Sequence, residues 1–242
     1  MMSRSRSAQT GFTLVEIAIV LVIIGLILGG VLKGQELVTS ARVRNIADQQ
    51  NAIKAAFYSF QDRYRALPGD YAAASTNIPG LSGKTVDGDG DGFIDNENEQ
   101  VWAFLDLSAA GFISCAQCIS GGVNGAPATQ NNSPINAYSG VLGIRYDNVF
   151  GSGPPNAMNN VKTGNNIPSN ILAEVDNKLD DGNPYSGNFQ FSVFATPTAT
   201  ATAPVGISGT TGCLITSGTG ATAVTTWNRQ TPATNCGGAY TF

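Results

Sequence analysis

The densest chemistry in the chain lies between Thr85 and Asp106, where seven carboxylates stand without a single base. The run Asp87-Gly88-Asp89-Gly90-Asp91-Gly92-Phe93-Ile94-Asp95-Asn96-Glu97-Asn98-Glu99 spaces its first acids two apart. Repulsion among them calls for a cation, and hard oxygen donors at alternate residues suit calcium. With Asp87 as the first position of an EF-hand-like loop, Asp89, Asp91 and Asp95 take three further ligand positions. Gly92 supplies the turn, and the Phe93 carbonyl the main-chain ligand. The closing position holds Asn98 instead of Glu, and a one-residue bulge brings in Glu99. The expectation is calcium held by Asp87, Asp89, Asp91, Phe93, Asp95 and Glu99; the plainer alternative is a solvated acidic turn.

Other chemistry is scarce. The 242 residues include no His, which removes His-based triads, imidazole acid–base catalysis and His-ligated zinc. No catalytic constellation remains, so the chain is not expected to be an enzyme. Only 12% of residues are charged and the formal net charge is -4, which argues against an ordinary cytosolic enzyme and against direct nucleic-acid binding.

The one remaining ionisable group in an unusual place is Glu16. From Ile17 to Leu32 no side chain is polar, and counted from Phe12 the near-apolar stretch is long enough to cross the roughly 30 Å of a bilayer's hydrocarbon core. Arg4 and Arg6 precede it with no acid, which places the N-terminus in the cytoplasm. A cleaved signal peptide would end in a small-residue site; Leu28 to Leu37 offers Gly, Lys and Glu instead. A carboxylate in lipid costs at least about 2.5 kcal/mol, so Glu16 needs compensation. A cut between Gly11 and Phe12 would create an amine one helical turn away.

Gly11-Phe12-Thr13-Leu14-Val15-Glu16, with its basic leader and apolar sequel, resembles the processing site of type IV pilins and the pseudopilins of type II secretion. The resemblance implies that a prepilin peptidase and N-methyltransferase cuts after Gly11 and methylates Phe12, and that Glu16 serves subunit assembly. It further implies other pilin or pseudopilin subunits, an inner-membrane assembly platform and membrane lipid as partners. The expected location is the bacterial inner membrane, single-pass, before assembly, and a surface pilus or a periplasmic pseudopilus afterwards. The expected function is a structural subunit of a type IV pilus or pilus-like filament. The alternatives are a type II secretion pseudopilin and a minor pilin acting as an adhesin.

The positioning elements follow from periodicity. Apolar residues Val43, Ile46, Ala47, Ile53, Ala56, Phe57, Phe60 and Tyr64 recur at helical steps, predicting one long helix from Phe12 to Tyr64 that stops before Pro68-Gly69. Gly25 and Gly29 offer close helix approach, and Gly25 to Gly34 is a place where the helix could loosen on assembly. The run QDRYRALPGD, Gln61 to Asp70, and the segment around Trp102 and Ala110-Gly111-Phe112-Ile113 resemble a subgroup of large pilin-like proteins. Further helices are expected over Glu97–Ala110 and, with Ser169 as cap, over Ser169–Leu179 before the acidic turn at Asp180-Asp181-Gly182. Strand patterns occur at Val141–Tyr146, at Phe189, Phe191 and Val193, at Cys213–Thr216 and at Ala223–Trp227. Thr196 to Pro204 reads as an exposed Thr/Pro loop. The fold class is α+β: a leader (1–11), a membrane or filament-core helix (12–33), its amphipathic continuation (34–66) and a head (67–242), the long helix packing on an antiparallel sheet. Four cysteines permit three pairings. In an oxidising compartment Cys115–Cys118 and Cys213–Cys236 are expected.

Overall fold

The computed structural model describes residues 13–121, 127–151, 156–192, 212–218 and 223–242. They divide into two compact units, one ending at Ala41 and one running Arg42–Phe242.

The first unit is the opening stretch of helix α1 (Leu14–Tyr64). Its Leu, Ile and Val side chains are exposed all round, with Leu14 91% and Leu26 73% accessible. Among the described residues it is the one helix long and apolar enough to cross a membrane. The helix runs unbroken through Gly25, Gly29, Gly30 and Gly34, where an added Cβ would meet nothing within 4 Å. In a single chain these glycines therefore face open space, ready for a close neighbour.

In the second unit, α1 buries Val43, Ile46, Ala47, Gln50, Ile53, Ala56, Phe57 and Phe60, one face at three- and four-residue steps. The head adds short α2 (Ala74–Asn77), α3 (Glu97–Ala109), α4 (Ala116–Gly121) and α5 (Ser169–Leu179). Its strands are β1 (Gly143–Asp147), β2 (Met158–Lys162), β3 (Phe189–Phe191), β4 (Leu214–Ser217), β5 (Val224–Trp227) and β6 (Gly238–Thr241). An antiparallel sheet in the order β1-β2-β6-β3 forms, beside a β4-β5 ribbon. The fold class is thus α+β.

Two apolar clusters fill the head. In one, Ile53, Phe57 and Phe60 of α1 meet Phe104 and Leu105 of α3 and the sheet residues Ile144 and Val161. In the other, Val43 and Ile46 meet Ile171, Leu172 and Val175 of α5, Phe189, Phe191 and Trp227. Lys54 sits 4.5 Å from the Tyr240 ring centroid, and the rings of Phe57 and Phe242 are 4.8 Å apart, so α1 and the C-terminal strand hold each other. Disulfides join Cys115 to Cys118 and Cys213 to Cys236.

Two strands escape the hydrophobic pattern. Met158-Asn159-Asn160-Val161-Lys162 is too polar to read as a strand, yet β2 pairs on both sides. Its Lys162 is fully buried, donating to Asp147 Oδ1 at 2.9 Å, the Val149 carbonyl at 3.2 Å and Ser192 Oγ at 3.2 Å. Burial lowers the Lys162 ammonium to about 8 while the Asp147 charge opposes the shift. β6 begins at Gly238, where the Phe189 ring occupies the space a side chain would need. Ser169 is not the cap of α5: Pro168 holds that place, and Ser169 Oγ donates to the Asn228 carbonyl at 2.6 Å and accepts from Ala233 N at 3.1 Å. Its hydroxyl ties the helix start to the C-terminal segment. Val193 and the Thr196 to Pro204 loop lie outside the described residues.

Candidate functional site

Two constellations carry chemistry, one in each unit. In the first, Thr13 N donates to Glu16 Oε2 at 2.8 Å, Thr13 Oγ1 donates to the same oxygen at 2.8 Å, and Glu16 N donates to Thr13 Oγ1 at 3.3 Å. This reciprocal pair is a capping box: each side chain satisfies a backbone N–H that the first helical turn leaves free. Glu16 therefore has neutral donors, and the positive end of the helix dipole, in the uncut chain as well. The signal was present as Thr13-Leu14-Val15-Glu16, the T-x-x-E pattern before an apolar run. Gly11 and Phe12, the expected cleavage and methylation residues, lie outside the described residues.

In the second unit, oxygens of Asp70, Asp89 and Glu99 lie within 4.8 Å of one another, with Asp70 and Glu99 buried and Asp89 exposed. Two glycines make the convergence. Gly69, at φ +88°, lets the turn after α1 press against the Glu99 carbonyl and Ala103 backbone, and a Cβ on Gly88 would collide with the Asp70 backbone. Asp70 then accepts from Gly90 N at 2.7 Å and Gly92 N at 3.0 Å, drawing the acidic loop around itself. Asn96 Oδ1 caps α3 through Asn98 N at 3.1 Å and Glu99 N at 3.0 Å, which fixes Glu99 at the helix start.

The convergent set differs from the spacing-based one. Asp89 and Glu99 belong to both, whereas Asp87 turns away because its oxygens accept from Ser75 N and Oγ, each at 2.7 Å. Asp91 Oδ1 accepts from Phe93 N at 2.9 Å, and the Phe93 ring stacks on Tyr146 with centroids 4.5 Å apart. Asp95 N donates to Glu99 Oε2 at 3.3 Å. Asn98, the nominal closing residue, is already inside α3. Asp70 lies well upstream of the loop, and its only sequence signal was its place directly after the Pro68-Gly69 helix exit.

Burial pushes the Glu99 carboxyl up to about 7, with Asp89 adding to the shift against the Asp89 and Asp95 N–H groups. Burial also raises Asp70, helped by the Asp91 and Asp89 charges and opposed by the Gly90 and Gly92 N–H groups. Carboxylates held together at this cost of desolvation and repulsion are relieved by a proton or by a hard cation. The acids near Asp180 behave otherwise. Trp227 Nε1 donates to Asp176 Oδ2 at 2.7 Å, Phe189 N to Asp180 at 3.2 Å, and Ser186 Oγ to Asp181 Oδ2 at 2.5 Å, making a capped turn.

An apolar N-terminal helix whose first turn caps a lone carboxylate, in a chain with an α+β head, fits membrane anchoring through that helix. Residues 6–32 match the prokaryotic N-terminal methylation motif, the hallmark of type IV pilins and pseudopilins. No curated protein and no solved structure matches the chain. The motif supports a pilin-like or pseudopilin precursor, and with the apolar N-terminal helix it fits membrane anchoring before assembly, processing by prepilin peptidase and assembly with other pilins. Proteins bearing the motif are structural subunits.

Proposed function

We propose that the chain is a structural subunit of a type IV pilus or pilus-like filament. Prepilin peptidase cuts between Gly11 and Phe12, Phe12 is N-methylated, and the apolar half of α1 leaves the inner membrane to bundle with its sisters. The observation that carries this reading is Glu16, the lone charge in the apolar opening of the exposed helix, within the methylation motif. In the precursor Thr13 holds it; after cleavage the amine of a neighbouring Phe12 becomes its ionic partner. The large head favours a surface pilus over a periplasmic pseudopilus. N-terminal sequencing of membrane and sheared-filament fractions tests the proposal: N-methyl-Phe at residue 12 is expected in filaments. Filaments built from chains that begin at Met1 would overturn it. Glu16→Leu subunits are expected to be processed yet left in the membrane, and equal incorporation would remove the ion pair from the mechanism.

For the head we propose calcium at Asp70, Asp89 and Glu99. The support is chemical: Asp70 converges with Asp89 and Glu99 of a loop that carries six acids from Asp87 to Glu99, and Asp70 and Glu99 are buried. Calorimetric titration of the detergent-solubilised chain with calcium should give saturable heat that an Asp89→Asn/Glu99→Gln variant lacks. Absence of heat in the parent ends the idea.

A further inference from the structure

One charge beside the acidic loop points away from it. Between Ala66 and Ile144 the sequence carries eight acids and a single base, Lys84. Lys84 stands three residues before Asp87 and five before Asp89, within reach of either on its flexible four-carbon stem. Its ammonium turns the other way and donates to the Ile119 carbonyl of α4 at 2.9 Å. Among the described residues no salt bridge joins Lys84 to an acid.

What holds Lys84 there is a helix that cannot stand by itself. α4 has six residues and buries only Cys118, and a helix of that length is marginal without outside support. The Cys115–Cys118 bridge closes over its first turn, where Cys118 N donates to the Cys115 carbonyl at 3.1 Å. Ser108 of α3 fixes the same end: its Oγ donates to the Cys115 carbonyl at 2.9 Å and accepts from Cys115 N at 3.3 Å. Ile119 follows Cys118 directly and is 37% exposed, so the bridge, with little help from apolar packing, places its carbonyl. Both cysteines share an apolar cluster with Leu81 and Val86, which flank Lys84 on the way into the acidic loop.

We propose that oxidation of Cys115 and Cys118 sets the calcium affinity of the Asp70, Asp89 and Glu99 cluster by tethering Lys84 away from it, a control that rests on the calcium reading. While the two thiols are free, α4 frays, and Lys84, released from Ile119, neutralises the acids in place of calcium. Bridge formation passes two electrons and two protons from the thiols to an oxidant disulfide, which leaves as a dithiol. α4 then captures Lys84, and the acids are left to a cation.

The test is calorimetric titration with calcium chloride of the full chain in detergent, oxidised and as Cys115→Ser/Cys118→Ser. The serine variant is expected to bind calcium about tenfold more weakly than the oxidised parent. Lys84→Met in that background should restore the affinity to within about twofold of the parent, whereas Lys84→Met alone, replacing a lysine already tethered, should leave it unchanged. Restoration is the readout that mere loosening of the head would not give. Reducing the parent and the Lys84→Met chain with dithiothreitol makes the same comparison without either serine: affinity should fall in the parent and hold in Lys84→Met. The proposal is overturned if loss of the bridge leaves the affinity as it was, or if Lys84→Met fails to restore it. Absence of calcium heat from the oxidised parent strikes the calcium reading itself, and the tether with it.

Discussion

The head holds two acid-rich turns of similar composition and opposite design. Around Asp70, Asp89 and Glu99 the oxygens converge, and the N–H groups that reach Glu99 do so at 3.5 and 3.3 Å. Around Asp176, Asp180 and Asp181 each carboxylate is taken by its own donor: an indole at 2.7 Å, the Asn188 and Phe189 backbone, and a serine hydroxyl at 2.5 Å. A count of acids is the same kind of signal in both places. What separates the two turns is that the first brings oxygens of three acids together around backbone N–H groups, whereas the second turns each acid to a donor of its own.

The largest consequence concerns calcium. At a hundredfold excess over its dissociation constant a ligand stabilises the folded state by about 2.7 kcal/mol. Calcium should therefore raise the melting temperature of the solubilised chain by several degrees, and the rise should vanish in Asp70→Asn/Glu99→Gln. Asp180→Asn/Asp181→Asn should keep the full rise. If both double variants lost it equally, the two turns would not differ in the way their hydrogen bonds indicate.

A somewhat smaller effect belongs to the second turn. Asp176→Ala leaves the Trp227 indole N–H without its partner in the core, at a cost of about 1–3 kcal/mol. Denaturant unfolding should show that loss with the calcium response intact. A change below about 0.5 kcal/mol would mean that the indole finds another acceptor.

How much of this was legible depends on the kind of pattern. The N-terminal helix was, because Leu14 to Leu32 is nearly uniform and Val43 to Phe60 keeps helical steps. The head was legible only where its apolar residues alternate, as at Phe189 and Phe191. β2 was hidden because its burial rests on an ion pair, Lys162 with Asp147, and β6 because Gly238 is chosen for the space that Phe189 fills. Asp89 and Glu99 stood in the acidic run, but Asp70 joins them only through the close approach of Gly69 and Gly88, a contact that spacing along the chain does not contain. The capping box was legible in Thr13-Leu14-Val15-Glu16, where the T-x-x-E spacing gives Glu16 neutral donors of its own.

The smallest effect sharpens the comparison through pH. Asp106, fully buried behind the acidic loop, accepts from Gly69 N at 2.7 Å with Oδ2, while its Oδ1 has no partner. Burial pushes it up to about 8, with the Asp87 charge adding and the Gly69 N–H opposing. Between its ordinary value near 3.8 and 8, the folded chain keeps a proton that the unfolded chain releases, so its contribution to stability falls as pH rises through that window. In the other turn, Asp181 is lowered by the Ser186 hydroxyl and the Asn183 N–H, so its contribution is present above the ordinary value and fades as the solution becomes acid. Asp106→Asn, which keeps the shape and cannot ionise, should flatten the decline of unfolding free energy from pH 5 to pH 8 measured in EDTA. Asp181→Asn should leave that decline in place and instead reduce the loss of stability below about pH 4. Equal pH profiles for the two variants would show that the burial of Asp106 has no thermodynamic weight.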